Sequence, residues 1–252
     1  MQLKNQVALI TGASRGIGRA IAKRLATEGA LVAVHYGSNA AAAKETIKSI
    51  EDCGGKAFAI KADLASMAEI EELFKHLDQE LIQRTGTSHF DILINNAAIA
   101  EVGTVQETSE DLFDRTFDVN TKGLFFVTQH ALKRLKKGSR IINISTGGTR
   151  VLMPEFSAYL MSKCAVNGLT VMLAKQLGKQ GITVNTIAPG VTATEMAEKA
   201  LTEEKKQNFI QNTLLGRIGT PEDIANVAMF LVSEEGGWVT GQYIEASGGA
   251  ML

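Results

Sequence analysis

Short runs rich in β-branched residues alternate with longer stretches of helical periodicity from one end of the 252-residue chain to the other, and this alternation constrains the fold most. A strand reached through a helix joins its neighbour in parallel, because the crossover returns the chain to the edge where it began. Seven runs read as strands: residues 7–11, 31–36, 57–60, 92–95, 140–145, 183–187 and 243–245. Most are continuously apolar, as strands covered on both faces must be. Helices fill the intervals, and two are long, from 119 to about 137 and from 157 to about 179, the second closed by Gly181. The pattern predicts an α/β protein of one domain, residues 1–252, built as a doubly wound (Rossmann) parallel seven-stranded sheet with helices on both faces. No Pro/Ser-rich linker or internal repeat interrupts it. Segment 192–216 follows a strand end, is helical in pattern and highly charged, and reads as a lid.

Composition excludes several classes of function. A formal net charge of −1, with acids and bases intermixed, creates no field to hold nucleic acid or an anionic membrane, so neither is expected as a partner. The first apolar run, 7–10, is too short for a signal sequence or a span. Cys53 and Cys164 fit no metal spacing and read as reduced thiols, which points to the cytoplasm. His35, His76, His89 and His130 are scattered, so no metal is expected, and no G-x-S-x-G elbow supports a hydrolase.

The first strand runs into Gly12-Ala13-Ser14-Arg15-Gly16-Ile17-Gly18 and then a helix. Three glycines at that turn let backbone approach a ligand, and the helix N-terminus can hold a pyrophosphate. Gly12, Ser14, Arg15, Gly16, Ile17 and Gly18 are therefore candidate dinucleotide contacts. The second strand ends His35-Tyr36-Gly37-Ser38-Asn39, with no carboxylate to bind a ribose 2′-hydroxyl or repel a 2′-phosphate. The Arg15 guanidinium can form charge-assisted bonds to that phosphate, with Ser38 and Asn39 as further donors and Tyr36 beside them. The expected cofactor is NADP(H) rather than NAD(H).

Tyr159 and Lys163 stand four residues apart in the second long helix and project from one face. Lowering a phenol pKa from near 10 by about three units requires about 4 kcal/mol in favour of the phenolate. An ammonium about 4 Å away at an effective dielectric of about 20 supplies roughly that much before desolvation. The pair can act as a proton-transfer unit.

From Val7 to Gly249 the chain resembles the short-chain dehydrogenase/reductase family. The resemblance rests on Thr11 to Gly18, Asp63-Leu64, Asn95-Asn96-Ala97-Ala98, Asn120, Ser145-Thr146, Tyr159 with Lys163, Pro189-Gly190 with Thr194, and Gly219 to Ile224. It implies a carbonyl/alcohol oxidoreductase in which Tyr159 is the general acid, Lys163 lowers its pKa and binds the ribose, and Asn120 holds a water. It also implies a hydroxyl thirteen residues before the tyrosine. That position is Thr146, where the family usually has Ser; Ser145, one residue too early, is the second candidate. Asp63, followed by Leu64, should bind the adenine amino group. The Asn96-Ala97-Ala98 backbone should line the ribose, with Ala98 in place of the usual Gly. The Pro189-Gly190-Val191 turn and Thr194 should bind the carboxamide, while Asn95 reads as structural.

Substrate choice should come from loop 147–156 and the lid, whose Val151, Leu152, Met153, Phe156, Met196 and Phe209 offer apolar walls, with Arg150 as a possible anion contact. The resemblance extends to 3-oxoacyl-acyl-carrier-protein reductases, and Lys133, Arg134, Lys136, Lys137 and Arg140 could face an acidic carrier. Gln180 stands where those enzymes commonly have Arg, so free ketones, aldehydes or diketones rank equally with carrier-bound substrates. The family also builds homotetramers, which is the assembly expected. A nucleotide-sensing regulator, the alternative of another class, would have a broken catalytic set, whereas Asn120, Thr146, Tyr159 and Lys163 are all present.

Overall fold

The computed structural model describes residues 1–251; Leu252 and the side chains of Lys199 and Ala200, in the expected lid, lie outside the described residues. Strands β1 (Val7–Ile10), β2 (Leu31–Tyr36), β3 (Lys56–Lys61), β4 (Phe90–Asn95), β5 (Leu135–Ile144), β6 (Thr183–Pro189) and β7 (Tyr243–Ala246) form one sheet ordered β3-β2-β1-β4-β5-β6-β7. Every pairing is parallel. The helices are α1 (Gly16–Thr27), α2 (Ala40–Glu51), α3 (Met67–Thr85), α4 (Glu110–Phe117), α5 (Leu124–Leu132), α6 (Gly148–Val151), α7 (Ser157–Leu177), α8 (Glu195–Ala200), α9 (Glu203–Gln211) and α10 (Pro221–Val232). Strand order reverses between β1 and β4, and a crevice opens outside their carboxyl ends, where such sheets bind ligands.

Alternation along β1 divides the core. Ala8 and Ile10 pack with Ile21 and Leu25 of α1 and Ile224 and Leu231 of α10. Val7 and Leu9 face the opposite way, toward Phe74 and Leu77 of α3, Val127 of α5 and Leu173 of α7. Thr220 and Asp223 form a reciprocal capping box that starts α10, with Pro221 in its first turn.

The expected helix from 119 to about 137 is different in the structure. Helix begins earlier, at Glu110, passes through a π-helical segment at Asp118–Gly123, and ends at Leu132. Residue 135 is already in β5, whose irregular start shifts register between Phe90 and Ile92 and contains Gly138 at φ +84°. The cations at 133–137 mimic the solvent face of a helix. In fact Arg134 turns back as a fork onto Asp78, with both nitrogens at 2.6 Å, and Lys136 reaches Asp91 at 3.1 Å. The expected lid consists of α8 and α9, and the long α7 runs to Leu177 before a single 3-10 turn and the left-handed Gly181.

Among the described residues no helix is long and apolar enough to cross a membrane, and no group of three His, Cys, Asp or Glu side chains could hold a metal ion. Cys53 and Cys164 are free and exposed.

A buried polar row crosses the sheet under α5 and α7. Asn95, Asn143 and Thr186 are register partners on β4, β5 and β6. Asn95 Nδ2 donates to Asn143 Oδ1 at 2.9 Å and to Thr128 of α5 at 3.0 Å, and Asn143 Nδ2 donates to Thr170 of α7 at 2.8 Å. Thr170 and Thr186 share a further bond of 2.7 Å. Asn95 is thus structural, and the row pins α7 to the sheet. Replacing the fully buried Asn143 by Ala strands a donor on Asn95 and an acceptor on Thr170 and should cost about 2–3 kcal/mol. Thermal unfolding followed by circular dichroism should show Tm lowered by roughly 4–10 °C; an unchanged Tm would refute the load assigned to the row.

Candidate active site

The carboxyl ends of the strands surround a cleft of about 440 Å³. At one end lies the glycine loop. Gly12 has φ +63°, a left-handed conformation that favours glycine. A Cβ at Gly18 would stand 2.4 Å from Gly12 O and 2.5 Å from Asn96 Nδ2, so only glycine lets α1 approach this closely. Asn96 Nδ2 donates to the carbonyls of Thr11 and Gly12, at 2.8 and 3.0 Å, which ties the loop to the end of β4. Asn39, Ser66, Ser109, Thr202 and Thr220 cap α2, α3, α4, α9 and α10 with their side chains. In contrast, α1 has no side-chain cap and no acid in its first turn. Its amide N–H groups and positive dipole end are left for an anion, which fits a pyrophosphate.

His35 belongs to this end of the site, although its sequence context pointed only to the absence of a metal cluster. Its Nδ1 accepts from Gly12 N at 3.0 Å, and its Nε2 faces Ala62 O at 3.0 Å, which requires the neutral Nε2–H tautomer. Complete burial pushes its pKa down to about 4, so it stays neutral and braces the loop at physiological pH.

Ser14, Arg15, Gly16, Ile17, Ser38, Asn39, Asp63, Leu64, Asn96, Ala97 and Ala98 line the cleft with Gly12 and Gly18; Tyr36 does not, its place at the end of β2 being taken by His35 and Gly37. Asn39 Oδ1 is occupied in capping α2, accepting from Ala42 N at 3.0 Å. Arg15 pairs with Glu195 of α8 at 3.2 Å. Asp63 pairs with Arg115 at 3.0 Å, a lining residue that no spacing in the sequence singled out. Burial pushes the Asp63 carboxyl up, but the Ala65 N–H and the Arg115 guanidinium outweigh it and hold the group below its ordinary value.

At the other end Ser145, Thr146, Tyr159 and Lys163 line the cleft together, with Pro189, Gly190, Val191 and Thr194 opposite. Tyr159 and Lys163 share a face of α7, and Lys163 Nζ lies 5.9 Å from the centre of the Tyr159 ring and donates to Ile144 O at 2.8 Å. Burial pushes the Tyr159 phenol up to about 12, against a smaller downward pull from the Thr146 hydroxyl, and pushes Lys163 down to about 8. Burial of the phenol thus works against the depression expected from the ammonium. Thr146 Oγ1 accepts from Gly148 N at 3.1 Å, whereas the Ser145 hydroxyl is buried and lies 3.5 Å from Lys163 O.

Asn120 sits in the π-helical segment and does not line the cleft. Its amide is bonded to both backbone groups of Ile99, at 2.9 Å each, and to Ser162 Oγ at 3.0 Å, so its side chain clamps the strand end after β4 onto α7. Met153, Phe156, Met196 and Phe209 form apolar walls, joined by Ile99, Ala100 and Leu201. Val151 and Leu152 point to solvent instead, and Arg150 is paired with Glu245 and not with the cleft.

A family model described as enoyl-(acyl carrier protein) reductase matches residues 12–251. The short chain dehydrogenase/reductase nsrJ of Aspergillus novofumigatus is 40% identical, with 99% of this chain and 97% of the relative covered. NADPH-dependent aldehyde reductase 2, chloroplastic, of Arabidopsis thaliana is 39% identical over 99% of this chain and 95% of its own. The crystal structure of the angucycline C-6 ketoreductase LanV with bound NADP matches with a TM-score of 0.95 and 44% identity, covering 99% of this chain and 97% of that one. Identity at this level along nearly the whole of both chains leaves little outside the resemblance, and the chain belongs to the short-chain dehydrogenase/reductase family.

Proposed function

We propose that the protein is an NADPH-dependent reductase of small, neutral ketones or aldehydes, with Tyr159 as the general acid. The observation that carries this reading is the convergence of Tyr159, Thr146 and Lys163 on the same cleft as the uncapped N-terminus of α1. When bound, NADPH supplies the hydride. The chain's own groups bind the cofactor, hold the carbonyl and provide a proton. Gly12, Ser14, Gly16, Ile17 and Gly18 hold the pyrophosphate; Ser38, Asn39 and Arg15 face the 2′-phosphate; Asp63, Leu64, Asn96, Ala97 and Ala98 take the adenosine. Pro189, Gly190, Val191 and Thr194 take the nicotinamide end, and Lys163 reaches the ribose. The Arg15–Glu195 pair is about half exposed at both ends and therefore weak, so a phosphate dianion can take the guanidinium.

With its pKa near 12, the Tyr159 phenol carries a proton at neutral pH and can donate it to the oxygen of a carbonyl being reduced. The Thr146 hydroxyl is a second donor to that oxygen, favoured over Ser145 by its proximity to Tyr159. As the phenolate forms, the Lys163 ammonium beside the ring stabilises it, by about 3 kcal/mol for charges about 6 Å apart at an effective dielectric of about 20. Asn120 acts by holding α7 against the end of β4.

Free carbonyl substrates are favoured over carrier-bound ones. Of the five cations considered for carrier docking, Arg134 and Lys136 are paired with Asp78 and Asp91, and Arg140 is folded back onto the Gly138 and Ser139 carbonyls. The cleft walls are apolar, and Lys205 at the lid is paired with Glu155. A homotetramer would bury the exposed Phe125, Met161 and Met172 of α5 and α7 and the fully exposed Trp238.

Oxidation of NADPH followed with a panel of small ketones, aldehydes and 3-oxoacyl thioesters tests the reading; tight NADPH binding without turnover of any of them overturns it. On the best substrate, Tyr159→Phe should lower kcat at least about 10³-fold while the Kd for NADPH stays nearly constant. Lys163 is charged below its pKa of about 8 and neutral above it, so kcat for reduction should be flat near pH 6–7 and fall as pH rises through 8. A rate that increases across that interval would contradict the role given to the ammonium. Arg15→Ala should reduce kcat/KM for NADPH by about 10-fold or more and leave NADH almost untouched; equal losses with both coenzymes would remove Arg15 from 2′-phosphate recognition.

A further inference from the structure

The loop after β5 carries Thr146, and its backbone is held from two sides by groups that do not line the cleft. Tyr243, the first residue of β7, donates its hydroxyl to Thr146 O at 3.0 Å. The Thr149 hydroxyl lies 3.0 Å from both that phenol oxygen and Thr146 O, and Thr149 N also donates to Thr146 O, at 3.2 Å. Asn167 Nδ2 donates to the Thr149 hydroxyl at 3.3 Å. Asn167 is four residues beyond Lys163 and eight beyond Tyr159, so the same stripe of α7 that bears the proton-transfer pair anchors this chain of bonds. A second tether comes from the same face of β7: Glu245, two residues after Tyr243, pairs with Arg150, and Ser247 Oγ donates to its Oε1 at 2.7 Å.

We propose that Tyr243 is a positioning residue for the reaction, holding the Thr146 carbonyl through a hydrogen-bonded relay from Asn167 and Thr149 and thereby setting the Thr146 hydroxyl against Tyr159. The proposal rests on Thr146 being the hydroxyl partner in carbonyl reduction. Tyr243 does not line the cleft, and its hydroxyl is turned to Thr146 O, so its route to the reaction runs through Thr146. Partial burial keeps its phenol protonated, and it remains a donor across the working pH range. In the relay Asn167 donates to the Thr149 hydroxyl, that hydroxyl donates to the Tyr243 oxygen, and the Thr146 carbonyl takes the Tyr243 O–H and the Thr149 N–H, which leaves it little freedom to rotate; the Thr146 side chain leaves the same residue. A hydroxyl that must meet an oxygen at about 3 Å is sensitive to displacements well under 1 Å.

Tyr243→Phe removes the hydroxyl and keeps the ring. With NADPH and the carbonyl of highest turnover, it should lower kcat about 10- to 100-fold while KM for NADPH and Tm remain near their original values. The deciding measurement is the double-mutant cycle with Thr146→Ala. If Tyr243 acts through Thr146, the double variant should be no slower than Thr146→Ala alone. Independent, multiplicative losses, or an unchanged kcat in Tyr243→Phe, would overturn the positioning role while leaving Thr146 in place. Full kcat in Thr146→Ala would overturn the reading of Thr146 and this proposal with it. Thr149 provides a check that does not depend on β7: Thr149→Ser should retain kcat and Thr149→Val should lower it, and equal rates in the two would break the relay.

Discussion

All seven strands run in one direction, and a parallel neighbour can be reached only by carrying the chain back across a face of the sheet. Two things follow from that constraint. Both faces must be covered, which divides the core into a layer under α1 and α10 and a layer under α3, α5 and α7. Every strand also ends at the same edge, so β1, β2, β4, β5 and β6 deliver their following loops to one place. The glycine turn, Asn96, Thr146 and Gly190 are far apart in sequence and line one cleft for this reason.

Most of the fold could be read from periodicity because long buried strands leave an uninterrupted apolar trace, and six of the seven expected strands differ from the observed ones by only a few residues at their ends. The exception is informative. The start of β5 and the end of α5 lie in a stretch of lysines and arginines, where helix and edge strand offer the same polarity to solvent. What decides between them is tertiary: Asp78 of α3 and Asp91 of β4 hold Arg134 and Lys136. The π-helical turn at Asp118–Gly123 was equally invisible, since one inserted residue in a helix leaves no compositional mark.

Residues whose backbone approaches the cleft were legible through motif and spacing. Those defined by what surrounds them were not. His35 and Arg115 become part of the site through Gly12 and Asp63, contacts spanning 23 and 52 positions that no local pattern encodes. Tyr36 was placed at the site by its position at the strand end and Asn120 by the family resemblance; the first does not line the cleft, and the second spends its amide on Ile99 and Ser162. The phenol shows the largest change of sign. Spacing brings an ammonium to the same helix face, but only the folded environment reveals the burial that pushes the Tyr159 phenol up.

One stripe of α7 carries Tyr159, Lys163, Asn167 and Thr170, and the last three meet β5, α6 and β6 in turn. Because each residue along a helix turns the side chain by about 100°, the four fall within one arc of about 80°, which fixes their rotational phase relative to the sheet. Loops around the cleft can lengthen or change composition without disturbing that phase, whereas an insertion or deletion of one residue within α7 would turn part of the stripe away from its partners. The cleft walls at Met153, Met196 and Phe209 are therefore free to drift, while the length of one helix between Tyr159 and Thr170 is not.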